Sequence, residues 1–137
     1  MTSVTLTIGG ETHTIAGSPG RRLSEVLREE LDLKSVKVGC DAGDCGACTV
    51  LMNGGQICAC LTPVAQADGA AIETLETSEP VLFARLQDAF LDQGAAQCGI
   101  CTPGIMVAAT ELLRRHPKPT RLQVEDALAG VLCRCTG

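Results

Sequence analysis

Apolar and polar positions alternate at the start of the chain. Val4, Leu6 and Ile8 stand two apart, Gly9-Gly10 follows as a two-residue turn signal, and Thr12 to Ile15 returns. This pattern predicts a β-hairpin. Leu23, Val26, Leu27 and Leu31 then recur at helical spacing. Farther along, "TVLM" and "QICACL" flank Asn53-Gly54-Gly55, predicting a second hairpin, and "AAIETLE" reads as a last short strand. From about residue 79 the period changes. Leu82, Leu86, Ala89 and Phe90 mark one amphipathic helix. Thr102 reads as an N-cap with Pro103 at the first helical position, and Ile105, Ala108, Ala109, Leu112 and Leu113 carry that helix to "RRHPKP". Thr120 and Gln123 form a capping box, and Val124, Leu128 and Val131 continue the last helix toward Cys133. Strands followed by helices, without alternation, predict an α+β chain of two sequential domains, residues 1–76 and 77–137, with a boundary near Glu76–Pro80. Strands around one helix, with a hairpin after a cysteine loop, suggest a β-grasp sheet for the first.

Composition narrows the function. Of 137 residues 45% are apolar, and Phe83 and Phe90 are the only aromatics, so the core is built from aliphatic side chains. The net charge of −5, without a basic run, argues against a nucleic-acid partner. No apolar segment is long enough for direct membrane insertion. The opening "MTSVTLTIGG" lacks the charged head and apolar stretch of a secretory leader, and Arg21-Arg22 precedes a charged helix, so it reads as surface charge. A cytoplasmic location is expected. There is no GxGxxG, P-loop or Gly-x-Ser-x-Gly, and Asp41 and Asp44 read as solvated. No catalytic residue is expected on this chain.

Nine cysteines then need a role in a compartment where structural disulfides are rare. They fall into two groups, Cys40, Cys45, Cys48, Cys58, Cys60 and Cys98, Cys101, Cys133, Cys135, which suggests two metal sites. Cys40-x4-Cys45-x2-Cys48 with a distant fourth cysteine is the spacing of plant-type [2Fe–2S] ferredoxins. Gly39, Gly43 and Gly46 let the backbone close around such a cluster and aim N–H groups at its sulfurs. Zinc is the competing reading, but its sites favour short Cys pairs set apart. For the fourth ligand, Cys58 and Cys60 lie two apart on a predicted strand, on the same face, and spacing does not choose between them. In the second group, Cys98 and Cys101 precede a helix N-terminus, which favours anionic sulfur, and Cys133 and Cys135 follow another helix end. By spacing alone zinc competes here, and a thioredoxin-type redox pair is a further reading. A Rieske centre needs two histidines on one iron, and His13 in a predicted strand and His116 at a helix end beside Pro117 both read as surface residues, so neither serves. Arg134, between Cys133 and Cys135, either offsets cluster charge or is an ordinary exposed arginine. All-thiolate ligation points to one-electron transfer.

In this order, "GCDAGDCGACTV", "CLTPV", "QCGICTPG" and "LCRCTG" resemble the small iron–sulfur subunit, or N-terminal iron–sulfur region, of the molybdenum hydroxylases: the xanthine dehydrogenase, aldehyde oxidoreductase and carbon monoxide dehydrogenase family. The resemblance covers the whole chain. It implies a plant-ferredoxin-like β-grasp domain followed by an all-α four-helix domain, each holding one [2Fe–2S] cluster. It implies Cys40, Cys45, Cys48 and Cys60 as ligands of the first cluster, Cys60 because "LTPV" follows it directly, and leaves Cys58 as an unligated thiol. It implies Cys98, Cys101, Cys133 and Cys135 as ligands of the second, with Gln97 and Cys135 approaching the molybdopterin of a large partner chain. A medium subunit with FAD, and assembly as a heterotrimer or a dimer of heterotrimers, are implied as well. Electrons would run from molybdenum through both clusters to FAD or an external acceptor, during hydroxylation of an N-heterocycle or aldehyde or oxidation of CO. A free-standing two-cluster ferredoxin is the alternative. Val131 stands where the family commonly has Asn, and the chain stops at Gly137 where relatives continue, which leaves a separate subunit and the start of a fused polypeptide both open.

Overall fold

The structure is a computed structural model describing residues 2–136; Met1 and Gly137 lie outside them. Strands β1 (Thr2–Ile8) and β2 (Glu11–Gly17) form the first hairpin, in register from Thr2 opposite Gly17 to Ile8 opposite Glu11. Its alternation is the burial pattern: Val4, Leu6, Ile8 and Ile15 face the core. Helix α1 starts as Leu23–Glu25 and continues as a wider π-helical turn, Val26–Glu30, with Leu23, Val26 and Leu27 fully buried. The expected helical spacing holds here, although the last predicted position, Leu31, lies just past the helix.

Strands β3 (Thr49–Met52) and β4 (Gly55–Cys58) form the second hairpin about Asn53 and Gly54. Strand β5 is shorter than predicted, Ala71–Glu73, because Leu75–Thr77 turns into a 3-10 helix. It inserts between the hairpins, parallel to β1 and antiparallel to β3, giving a mixed five-stranded sheet of order β2-β1-β5-β3-β4. The sheet and α1 share one aliphatic core containing Leu6, Leu23, Leu27, Val50, Val64 and Ile72. Aromatics contribute nothing to it, as the composition requires.

The rest of the described chain is helical: α2 (Pro80–Asp92), α3 (Thr102–Arg115) and α4 (Arg121–Leu128). The four helices implied for this part are therefore three among the described residues. After Leu128 the chain turns through Gly130, and the amides of Val131 and Leu132 bond to Leu128 O and Cys45 O instead of extending α4. Val131 is buried outside the helix, where continuation of α4 was expected. The α2 start uses Glu79, whose carboxylate accepts from the Val81 and Leu82 amides. Those bonds hold it below the usual glutamate range. The predicted box at α4 forms, with Thr120 and Gln123 bonding reciprocally. At α3 the cap is shifted by one residue. Cys101 is the N-cap and Thr102 the first helical residue, with its hydroxyl buried and unpartnered.

Helix α3 packs on β3 and α4. Polar ties join the helices to the sheet region: Arg114 holds Glu73 bidentately at 2.9 and 2.7 Å, and Gln56 donates to Glu111 and to Ala127 O. Among the described residues no helix is long and apolar enough to cross a membrane.

Candidate iron–sulfur sites

The segment between α1 and β3 forms neither helix nor strand; it wraps its amides around sulfur. Cys40 Sγ accepts from the amides of Ala42 (3.3 Å), Asp44 (3.2 Å) and Cys45 (3.2 Å). Cys45 Sγ accepts from Cys40 and Ala47, both at 3.4 Å. The Gly43 amide reaches across to Cys60 Sγ at 3.3 Å, and the Cys60 amide donates to Cys48 Sγ at 3.4 Å. The four thiols thus run from exposed Cys40 through half-buried Cys45 to a buried pair, Cys48 and Cys60. Amide donation, foremost from Cys45, holds the Cys40 thiol down at about 6, whereas burial pushes Cys48 up to about 12. The first thiol is ready to ligate as an anion. The second is a poor acid until a cation compensates its charge.

Cys58 and Cys60 are not on one strand. β4 ends at Cys58, and the Leu61 amide (3.1 Å) and Thr62 hydroxyl (2.9 Å) close a turn onto Cys58 O. That turn presents Cys60 to the loop, while Cys58 packs against the core and burial raises its pKa. Nor is Asp41 simply solvated. It adopts φ 55° inside the loop and forms an ion pair with Arg22.

The second set lies where two helices end. Cys101 caps α3 and is buried, Cys133 follows α4 and is half-buried, and their thiols lie close enough to perturb one another. Burial pushes Cys101 up to about 11; the Thr136 hydroxyl and then its amide hold Cys133 down at about 6. Cys98, Cys135, Gln97 and Arg134 are exposed. Val131 belongs with Cys101 and Ala108 to a small apolar cluster.

The two sets meet. The Leu132 amide donates to Cys45 O at 2.8 Å, joining the residue before Cys133 to a thiol residue of the first loop. Gly46 permits this approach: a Cβ there would lie 1.9 Å from Gly130 O, and its φ is +75°. Gly104 of α3 faces the same seam, 2.7 Å from Gly46 O at its own would-be Cβ. Sequence spacing found the thiols but missed this seam, Thr136 and the Arg22–Asp41 pair. The only signal for the seam is the glycine in "CTPGI", and for Thr136 a hydroxyl three residues after Cys133.

The thiols of the first set accept several backbone amides, and neither set contains a histidine or carboxylate, which suits an all-thiolate iron–sulfur cluster. Gly39 lets the loop close on the Cys45 sulfur, since a Cβ there would come within 2.7 Å of Cys45 Sγ.

Comparison with known proteins agrees. Residues 6–75 match the 2Fe-2S iron-sulfur cluster binding domain, and residues 71–137 match the [2Fe-2S] binding domain. The small FeS subunit of nicotinate dehydrogenase from Eubacterium barkeri is 45% identical over 136 residues, 98% of this chain and 87% of that one. The small subunit of nicotine 6-hydroxylase from Paenarthrobacter nicotinovorans is 45% identical over 130 residues, 95% of this chain and 79% of that one. Among solved structures, quinoline 2-oxidoreductase from Pseudomonas putida 86 superposes with a TM-score of 0.89 at 38% identity, covering 99% of this chain and 85% of that one. Aldehyde oxidoreductase from Desulfovibrio desulfuricans gives the same TM-score at 40% identity, with this chain spanning 15% of it. The chain belongs to the family of [2Fe–2S] iron–sulfur subunits and iron–sulfur regions of the molybdenum hydroxylases. It is the iron–sulfur part of an oxidoreductase, with two [2Fe–2S]-binding domains.

Proposed function

We propose that this chain is the electron-transfer subunit of a molybdenum hydroxylase, passing electrons one at a time from the molybdopterin centre of a large partner to FAD on a medium subunit or to an external acceptor. Cys40, Cys45, Cys48 and Cys60 hold one cluster; Cys98, Cys101, Cys133 and Cys135 hold the other. Each cluster, when bound, supplies a one-electron store. Residues 1–76 act as a β-grasp ferredoxin-like domain and residues 77–137 as the helical domain. Gln97 and the cluster ligand Cys135, both exposed, face the pterin. The assembly is a heterotrimer or a dimer of heterotrimers in the cytoplasm. The substrate is an N-heterocycle: nicotinate, nicotine, xanthine and quinoline all stand in the names of relatives, with aldehydes as the second class.

The observation that carries this reading is the seam. The Leu132 amide on Cys45 O joins the two thiol sets directly, as a relay between stationary partners needs. The test is isolation of the tagged chain from its own host under gentle conditions, with Fe, Mo and FAD assayed per chain. Expected are about four Fe, Mo with a large chain, and FAD with a medium chain. Four Fe with Mo but no flavin would assign a separate acceptor. Four Fe on the chain alone would overturn the subunit reading and leave a ferredoxin.

A further inference from the structure

The two thiol sets are solvated by the protein in different ways. In the first, the donors described for Cys40, Cys45, Cys48 and Cys60 are backbone amides. In the second, Cys133 Sγ meets a side chain: the Thr136 hydroxyl at 2.9 Å, with the Thr136 amide at 3.3 Å. A free thiol could be the donor in the hydroxyl contact. A ligating thiolate has lost its proton, so there the hydroxyl must donate.

We propose that Thr136 is a positioning residue that acts through Cys133 to raise the reduction potential of the C-terminal cluster relative to the N-terminal one. This rests on the reading of Cys133 as a cluster ligand. One-electron reduction takes an electron from the reductant and adds one negative charge to the cluster; no bond forms or breaks. A hydrogen bond to ligand sulfur stabilises the more negative state more, and therefore raises the potential. The amide donors come with the backbone fold, but the hydroxyl can be removed without redirecting the chain. Thr136 is thus an independent lever on the difference in potential between two clusters whose loops the Leu132–Cys45 bond holds together. That difference decides on which cluster a single electron rests.

The test is an EPR-monitored redox titration of the intact complex, reduced with dithionite, for the parent, Thr136→Val and Thr136→Ser. The C-terminal signal is identified as the one lost in Cys101→Ser. Expected is a shift of the C-terminal midpoint to more negative values in Thr136→Val, an unmoved N-terminal midpoint, and recovery in Thr136→Ser, which keeps the donor. Thr136→Ala removes the same donor with less bulk and must shift in the same direction, so loss of the cluster from the valine variant alone does not decide the matter. An unchanged midpoint, an equal shift of both clusters, or a serine variant displaced as far as the valine one would overturn the proposal. Iron assayed on the parent keeps the two readings apart: a parent lacking the C-terminal signal contradicts the ligand assignment, whereas a parent with both signals leaves only the role of Thr136 in question.

Discussion

Cys60→Ser is expected to strip the N-terminal cluster from the complex, lowering iron from about four to about two per chain, while Cys58→Ser leaves iron unchanged. The two cysteines are separated by a single alanine, yet their surroundings differ in kind. Cys60 lies past the end of β4 and accepts the Gly43 amide at its sulfur, while its own amide donates to Cys48 Sγ. It is therefore stitched into the loop from both sides. Cys58 closes the strand, and its carbonyl carries the turn that presents Cys60. Its thiol packs at the core edge as a small apolar group. Serine keeps that volume at Cys58 but offers a much poorer iron ligand at Cys60. Iron and EPR assays on both variants check this; loss of the cluster from Cys58→Ser with retention in Cys60→Ser would exchange the two roles.

The second large effect is expected at Gly46. An alanine Cβ would overlap Gly130 O at 1.9 Å and press on Val131 Cα at 2.9 Å, both backbone groups that no rotamer change relieves. Its φ of +75° adds the left-handed penalty of about 1–2 kcal/mol for a residue with a Cβ. Together these place Gly46→Ala among the severe substitutions, at about 4 kcal/mol or more. Gly54→Ala is the matched control. Its φ is +84°, but a Cβ there meets nothing within 4 Å, so only the backbone term of about 1–2 kcal/mol applies. Thermal unfolding of the two variants, each in the assembled complex, separates clash from conformation. The Gly46 variant should unfold well below the Gly54 variant, with both EPR signals perturbed because the Leu132–Cys45 bond is pushed apart. Equal midpoints would show that the seam yields and that its tightness is not required.

What the sequence made legible follows from the range of the forces involved. The β1–β2 hairpin was readable because alternation of Val4, Leu6 and Ile8 with polar neighbours is a local demand of a half-buried strand. The capping box at Thr120 was readable for the same reason. The insertion of β5 between the hairpins was not, since three residues carry too little pattern to announce a parallel partner 64 residues away at Thr7. The π-helical stretch of α1 also escapes, because Leu23, Val26 and Leu27 satisfy ordinary helical spacing equally well. Thr102 before a proline obeys every rule for an N-cap, yet Cys101 takes that position and buries its thiol beside Cys133. The last turns of α4 are lost in the same way, to amides diverted toward Leu128 and Cys45.

The site divides along the same line. Cysteine spacing exposes the thiols because a loop ligand set must recur at short, fixed intervals. The groups that tune and hold them leave no such periodic trace. Arg22 reaches Asp41 from α1's N-cap, Leu132 reaches Cys45 from beyond α4, and Thr136 folds back on Cys133. The first two are tertiary contacts, and the third, though only three residues long, uses a residue of unremarkable type.

One measurement bears most directly on the claim that both thiol sets hold redox clusters: iron, zinc and spin quantitation on the native protein reduced with dithionite. The expected result is about four Fe per chain, no stoichiometric zinc, and two distinguishable EPR signals that together account for about two spins per chain. A single signal with about two Fe, or zinc in place of the missing iron, would contradict it and reduce the helical part to a structural metal site.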